Sequence, residues 1–172
     1  MNRSILIVSI LVMLLAACDR EPTSMLEPES TGTITIGISQ GIYGLVSFWE
    51  GDFMPIYPGG EQGGEIYPVV RDVCIFDAVL YDDLEWTYAE IEPGVYVHLA
   101  TAIPSDLVKV VKSDRQGYFE AELPPGTYSI FVREGGYFYV NRVDGGGYVF
   151  PAEVVEGGKV GVQFDITYMA TF

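Results

Sequence analysis

Hydrophobic residues recur at every second position along most of the chain after residue 31. The clearest apolar sets are Ile34, Ile36 and Ile38; Phe119, Ala121 and Leu123; Tyr128, Ile130 and Val132; and Val160, Val162, Phe164, Ile166 and Tyr168. Because successive side chains of a β-strand point to opposite faces, this period of two predicts strands with one buried and one exposed face. An α-helix would require a period near 3.6, so the pattern restricts the chain to a β-rich fold.

Turn signals separate these segments. Residues 113–117 (SDRQG) end in the glycine that a short hairpin loop favours, and residues 124–126 (PPG) and 156–158 (EGG) are similar. Short strands joined by such turns are typical of an antiparallel sandwich. We therefore predict a single all-β domain over residues 31–172, an antiparallel β-sandwich of about seven strands.

Two segments depart from the strand pattern. Residues 82–91 contain the best helix candidate, but its Trp, Thr and Tyr residues are weak helix formers, so we expect one short helical turn at most. Residues 51–68 (GDFMPIYPGGEQGGEIYP) hold five glycines and three prolines. A structureless loop of that length is uncommon in a compact domain and is usually functional or mobile.

The amino-terminal residues have the pattern of an export signal. Met1, Asn2 and Arg3 are followed by an apolar run over residues 5–15, which is shorter than the roughly 20 residues that span a bilayer. The run ends in Leu-Ala-Ala-Cys at residues 15–18, which closely resembles the lipobox of bacterial lipoproteins. The resemblance implies a signal peptide over residues 1–17, cleavage between Ala17 and Cys18, and lipidation of Cys18. The alternative is an ordinary secretory signal followed by a cysteine.

Residues 18–30 predict a tether between this anchor and the domain. After Cys18 the segment reads DREPTSMLEPES, with two prolines, four acidic residues and no hydrophobic periodicity. Asp19 resembles an inner-membrane retention signal that only some bacterial groups use, so Asp19 does not decide which membrane leaflet holds the anchor. We expect a location in the bacterial cell envelope, on the periplasmic or outer surface of a membrane, with the outer membrane favoured.

The charge balance restricts the partners. The chain has 24 Asp and Glu against 9 Lys and Arg and a net charge of −15, and the exported chain is more negative still because it loses Arg3. Nucleic-acid binding requires a basic surface, so nucleic acid is excluded as a partner. Anionic lipid would repel such a domain, so the acyl chains must hold the protein to the membrane.

Residues 110–132 (VVKSDRQGYFEAELPPGTYSIFV) carry a family resemblance. An apolar strand, an Asp-x-x-Gly hairpin, an aromatic strand and Leu-Pro-Pro-Gly-x-Tyr follow one another, as in the carboxypeptidase-regulatory-like family. Residues 42–55 and 139–151 resemble small envelope lipoproteins that carry this domain alone. The resemblance implies a transthyretin-like (prealbumin-like) sandwich and a non-catalytic accessory or binding module. Peptidase activity does not transfer, because one histidine cannot build the zinc site of a peptidase.

Two single residues have ordinary structural interpretations. His98 lies in the alternating segment VYVHL, opposite Val97 and Leu99, which favours a histidine on a strand surface over a catalytic role. Cys74 lies in the apolar segment VCIF and has no partner cysteine once Cys18 is lipidated. We expect a buried, inert thiol, with an intermolecular disulfide as the alternative.

Acidic turns leave two further functions open. The segments 50–52 (EGD), 82–85 (DDLE) and 144–147 (DGGG) offer oxygen ligands, so a calcium-stabilised structural module is one alternative, although no EF-hand loop is present. A small hydrolase with paired carboxylates is the other. We assign no catalytic residue, no metal ligand and no cofactor.

The remaining candidates form a predicted contact surface. Aromatic side chains outside a strand pattern stack on sugar rings or anchor proteins, and Arg142 could pair with Asp144, Glu50 or Asp52. The candidate residues are Trp49, Glu50, Asp52, Phe53, Tyr57, Tyr67, Arg142 and Asp144. The sequence thus predicts a non-enzymatic envelope lipoprotein whose β-sandwich binds an unidentified protein or glycan.

Overall fold

The computed structural model describes residues 34–55 and 63–172, and their regular secondary structure is almost entirely β. The strands are β1 (Gly41–Asp52), β2 (Glu65–Pro68), β3 (Asp72–Asp77), β4 (Glu85–Glu92), β5 (Val95–Ala102), β6 (Leu107–Lys112), β7 (Tyr118–Glu122), β8 (Gly126–Glu134), β9 (Tyr137–Tyr139), β10 (Pro151–Val154) and β11 (Lys159–Thr171). The predicted all-β sandwich is confirmed. It has eleven strands rather than about seven, because several strands are only three or four residues long. The predicted signal peptide, Cys18 and the tether lie outside the described residues.

The strands form two sheets. In the four-stranded sheet, β11 lies along one edge of β1, and β7 and β2 share the other edge. The larger sheet has the order β4-β5-β9-β8-β3-β6, and β10 pairs with the first half of β8. All of these pairs are antiparallel except β1 with β11, which run parallel from Gly41 opposite Lys159. Both strands enter the sheet from the same end, where the Gly41 N–H donates to the Gly158 carbonyl over 3.0 Å.

Aromatic contacts join the two sheets. Phe164 of β11 is fully buried and stacks on Phe150, which precedes β10, with ring centroids 4.8 Å apart. Tyr139 of β9 makes edge contacts with Phe164 and with Tyr168, at 6.4 and 5.4 Å. The rest of the core consists mainly of valine, isoleucine and alanine from both sheets, and burial of this apolar surface is the dominant stabilising term.

The predicted turns occur, but they are not hairpins within one sheet. The turn at 113–117 connects β6 of the larger sheet to β7 of the smaller one, and the turns at 124–126 and 156–158 also cross between the sheets. Turn residues reverse the chain locally, whereas the pairing of the strands that follow depends on distant partners. The hairpins lie elsewhere, and the β8–β9 turn uses Gly135 and Gly136, both with positive φ.

Two local expectations are corrected and a third is confirmed. Residues 34–38 alternate in hydrophobicity but form no strand. The predicted loop at 51–68 is part of a hairpin, since β1 extends to Asp52 and its partner β2 is Glu65–Pro68. The helix candidate at 82–91 is limited to the 3-10 turn Tyr81–Asp83, which agrees with the expectation of a single turn, and the remainder is β4.

No helix within the described residues has the length and apolar character of a membrane span.

Candidate binding cleft

Aromatic side chains cover the exposed face of the β4–β5 hairpin. The register places Tyr88 opposite His98 and Glu90 opposite Tyr96, so these four side chains share one face. The His98 imidazole lies between the rings of Trp86 and Tyr88, with centroid distances of 4.6 and 4.8 Å. Ala89, Val97 and Leu99 point the other way into the core. His98 therefore lies on a strand surface, as predicted, but it is enclosed by aromatic rings.

Tyr81 extends this aromatic stack from outside the hairpin. Its ring lies 4.7 Å from that of Trp86. The backbone fixes its position, because the Tyr81 N–H donates to the Gly147 carbonyl over 2.9 Å and the neighbouring Leu80 pairs with Tyr148. The stack thus holds the aromatic side chains of β4 and β5 against the turn at 144–148.

A cleft of about 360 Å³ opens beside the stack. Strand β5 pairs with β9 only where Ala100 meets Phe138, so residues 95–98 and residues 139–143 diverge. One wall carries Tyr81, Trp86, Tyr96 and His98, and the other carries Asn141, Arg142 and Val143. Tyr139 and Tyr168 also line the cleft. We call this space the aromatic cleft.

Arg142 is an exposed cation on the second wall. Its guanidinium carbon lies 5.2 Å from the centre of the Phe150 ring, a cation–π contact. The two ion pairs found in residues 34–55 and 63–172 do not involve it, so the expected pair with Asp144, Glu50 or Asp52 is not formed there. The aromatic face holds Arg142 without neutralising it, and its N–H groups remain available to a ligand.

Asn141 is oriented by β11. Its amide nitrogen donates to the Asp165 carbonyl over 2.8 Å and to Thr167 Oγ1 over 3.0 Å. Both amide hydrogens are therefore used within the protein, and the amide oxygen is left to accept.

Asp144 stabilises a turn. Its Oδ1 accepts the N–H groups of Gly146 and Tyr148 at 2.9 and 2.8 Å, and Gly147 takes a φ of 85°. Within the described residues, no three Asp, Glu, His or Cys side chains converge in a metal-binding group.

Glu50 and Tyr67 line a second cleft of about 310 Å³, together with Arg71. The Tyr67 hydroxyl donates to Glu50 over 3.0 Å, and its ring stacks on Phe48. Burial, followed by the hydrogen bond and charge of Glu50, raises the pKa of Tyr67.

Behind this second cleft lies a buried ion pair. Arg71 Nε is 2.5 Å from Glu134, whose side chain is 8% exposed, and the Tyr168 hydroxyl donates to the other Glu134 oxygen. Burial lowers the pKa of Arg71, but the hydrogen bond and charge of Glu134 outweigh that effect and raise it overall. Burial, reinforced by the charge of Glu134, raises the pKa of Tyr168.

The other candidates of the predicted contact surface lie elsewhere. Trp49 and Phe53 form an aromatic cluster with Phe172, with centroids 5.0 to 6.1 Å apart. Asp52 Oδ1 accepts the Met54 N–H over 2.8 Å. Tyr57 lies outside the described residues. The candidates are therefore distributed: Trp49 with Phe53, Glu50 with Tyr67, and Arg142 in the aromatic cleft near Asp144.

Cys74 is fully buried in β3, and its thiol is free. One cation lies nearby, since an Arg133 nitrogen is 3.9 Å from Cys74 Sγ. Burial raises the pKa of the thiol and outweighs the opposing effect of Arg133. Burial and the raised pKa both favour the inert thiol that the sequence predicts, and its reactivity stays a prediction.

Sequence reasoning missed Trp86, Tyr88 and Tyr96. The signal was present, because all three occupy the polar-face positions of alternating segments, EWTYAE and VYVHL. The helix candidate at residues 82–91 concealed this signal for Trp86 and Tyr88, whereas Tyr96 lies outside that segment. The wall formed by residues 139–143 has no such local signal.

Comparison with known proteins identifies no relative: no protein-family model, curated protein or solved structure matches this chain. The resemblance of residues 110–132 to the carboxypeptidase-regulatory-like family stays a prediction.

Proposed function

We propose that this chain is a lipid-anchored protein of the bacterial cell envelope whose β-sandwich is a non-catalytic binding module. The observation that carries the binding role is the aromatic cleft, where exposed rings on one wall face the uncompensated Arg142 on the other. Pockets for small ligands typically measure about 300–1,000 Å³ and combine aromatic surface with a few polar groups. The anchoring role rests on residues 15–18 of the sequence.

The side chains of the aromatic cleft are held in place before a ligand binds. The stack of Tyr81, Trp86, His98 and Tyr88 limits ring motion, so little side-chain entropy is lost on binding. Asn141 is likewise oriented by β11 before a ligand arrives. The accessory role that the family resemblance implies is compatible with such a preorganised surface.

In-cell photo-crosslinking tests the binding role. The photoreactive residue p-benzoylphenylalanine replaces Tyr96 in the full-length chain, and a matched variant carries it at Val110. Val110 is exposed on β6, at the opposite edge of the larger sheet. We expect a discrete crosslinked species from position 96 and none from position 110. Identical products from both positions would contradict the proposed cleft.

The same cells test the anchor. An alkyne-tagged palmitate should label the full-length protein, and Cys18→Ala should abolish both labelling and signal cleavage. Continued labelling of the alanine variant would refute the lipid anchor without bearing on the cleft.

A further inference from the structure

We infer that the aromatic cleft binds a neutral carbohydrate, with one sugar ring on Tyr96 and its hydroxyl groups on the facing wall; this inference rests on the proposed function. Tyr96 is 65% exposed and lines the cleft. The rings of Trp86 and His98 are occupied by their neighbours, whereas Tyr96 takes part in no ring–ring contact within the described residues. Its face is therefore free to receive a ligand.

A pyranose ring matches this free face. The C–H bonds on one side of a sugar ring carry partial positive charge, and the π face of a tyrosine carries partial negative charge. Stacking a flat sugar face on tyrosine removes apolar surface from water and leaves the equatorial hydroxyl groups pointing sideways. These hydroxyl groups then require hydrogen-bonding partners, since burying them without partners is costly.

The cleft offers such partners at its rim. Within residues 34–55 and 63–172, the Arg142 guanidinium, the Trp86 indole N–H and the His98 ring nitrogens take part in none of the side-chain hydrogen bonds or ion pairs. None of them is a buried nitrogen without a partner, so they reach solvent. Asn141 contributes a carbonyl oxygen that can accept. This mixture of donors and an acceptor suits hydroxyl groups, which both donate and accept.

Charge favours a neutral sugar over an acidic one. The register places Glu90 opposite Tyr96, Asp144 lies two residues from Arg142, and Asp82 lines a neighbouring cleft with Tyr81 and Val143. The whole chain carries a net charge of −15. A uronic-acid polymer would meet one cation and several carboxylates, whereas a neutral glycan avoids that repulsion.

The size of the cleft favours a sugar over a protein partner. A specific protein interface buries roughly 1,200–2,000 Å² in total around an apolar centre. A concave space of about 360 Å³ bordered by hydrogen-bonding groups is instead the scale of one or two sugar units.

Calorimetry on the full-length protein tests the inference. The protein is held in a polyoxyethylene detergent, because a detergent with a sugar head group would compete for the cleft. The probes are neutral oligosaccharides of glucose, mannose, galactose and xylose, with oligogalacturonate as the acidic comparison. We expect one or more neutral probes to bind and the acidic probe to bind more weakly or not at all.

Three variants locate the site. Loss of an aromatic platform raises Kd about tenfold or more, so Tyr96→Ala should weaken binding by that factor. Tyr96→Phe keeps the ring, so its Kd should remain within about threefold of the wild-type value. Tyr67→Ala is the matched control, because Tyr67 is also an exposed tyrosine but lies at the second cleft. It should bind as wild type does.

Three calorimetric results would contradict the inference. Absence of binding by every neutral probe, preference for oligogalacturonate, or equal affinity of wild type and Tyr96→Ala overturns the carbohydrate inference. If no neutral probe binds, or if oligogalacturonate is preferred, and the crosslink from position 96 persists in cells, the binding module stands and its ligand is not a neutral glycan. Equal affinity of wild type and Tyr96→Ala would instead place the sugar away from Tyr96.

Discussion

At the scale of single residues, Glu120 shows how one carboxylate fastens the segment before β1. It accepts the Gly37 N–H at 2.8 Å and the Tyr118 hydroxyl at 2.9 Å. These two hydrogen bonds, the backbone one first, lower the pKa of Glu120 below its ordinary value of 4.5. Burial, together with the hydrogen bond and charge of Glu120, raises the pKa of Tyr118 to about 12.

The lowered pKa predicts a pH-dependent contribution to stability. Because Glu120 holds its proton less tightly when folded, its contribution is present above about pH 4.5 and is lost as the pH falls through the folded value. We expect Glu120→Gln to lower the melting temperature at pH 7 and to have a smaller effect at pH 3. Thermal unfolding of both proteins at the two pH values measures this, and a difference independent of pH would contradict it.

Single residues also mark what local sequence can and cannot reveal. The burial of Cys74 follows from its apolar neighbours, and the sequence predicts it correctly. The position of His98 between two rings depends on the β4–β5 register, which opposes Tyr88 to His98. Composition near His98 carries no information about that register.

At the scale of elements, the chain uses one turn design twice. Asp114 and Asp144 each accept two backbone N–H groups on Oδ1, and a glycine three residues later takes a positive φ, 76° at Gly117 and 85° at Gly147. A tyrosine follows each glycine and accepts a backbone hydrogen bond from the aspartate in return. The motif D-x-x-G-Y is therefore a turn module readable from sequence.

The two glycines differ in their surroundings, which gives a matched pair of variants. A Cβ at Gly117 would lie 2.4 Å from the Val46 carbonyl oxygen, whereas one at Gly147 would lie 3.7 Å from a Leu80 methyl group. A left-handed conformation costs an alanine about 1 kcal/mol in either place. Gly117→Ala should cost at least about 1 kcal/mol more, since backbone must also move.

Chemical denaturation of both variants measures the free energies of unfolding. Equal losses for Gly117→Ala and Gly147→Ala would show that the contact with Val46 relaxes freely and would contradict the expectation.

At the scale of elements, the local sequence predicts where strands lie but not which strands pair. The strands at 118–122, 126–134 and 159–171 lie where alternation placed them, because alternation reports local burial. Assignment of β6 and β7 to different sheets depends on pairing with β3 and β1, which are distant in sequence. The aromatic cleft arises from the same non-local geometry, so its second wall could not be predicted.

At the scale of the whole molecule, a buried polar contact connects the two sheets. Glu134 ends β8 in the larger sheet, Tyr168 belongs to β11 in the smaller one, and Arg71 lies between β2 and β3. The Glu134 side chain is 8% exposed and that of Arg71 is 30% exposed. Removing Arg71 therefore leaves a buried carboxylate without a counter-charge, whereas removing Glu134 leaves a cation that water can still reach.

This difference in exposure predicts an asymmetric double-mutant cycle. Breaking a buried ion pair costs about 3–5 kcal/mol, and partial exposure places this pair at about 2–3 kcal/mol for Arg71→Met. Glu134→Leu should cost less, and the double variant should be more stable than Arg71→Met alone, since it leaves no unpaired charge. Free energies of unfolding for the four proteins complete the cycle. Additive losses would mean that the pair contributes no coupling between the sheets, and the apolar contacts of Phe164 with Phe150 and Tyr139 would then hold them together.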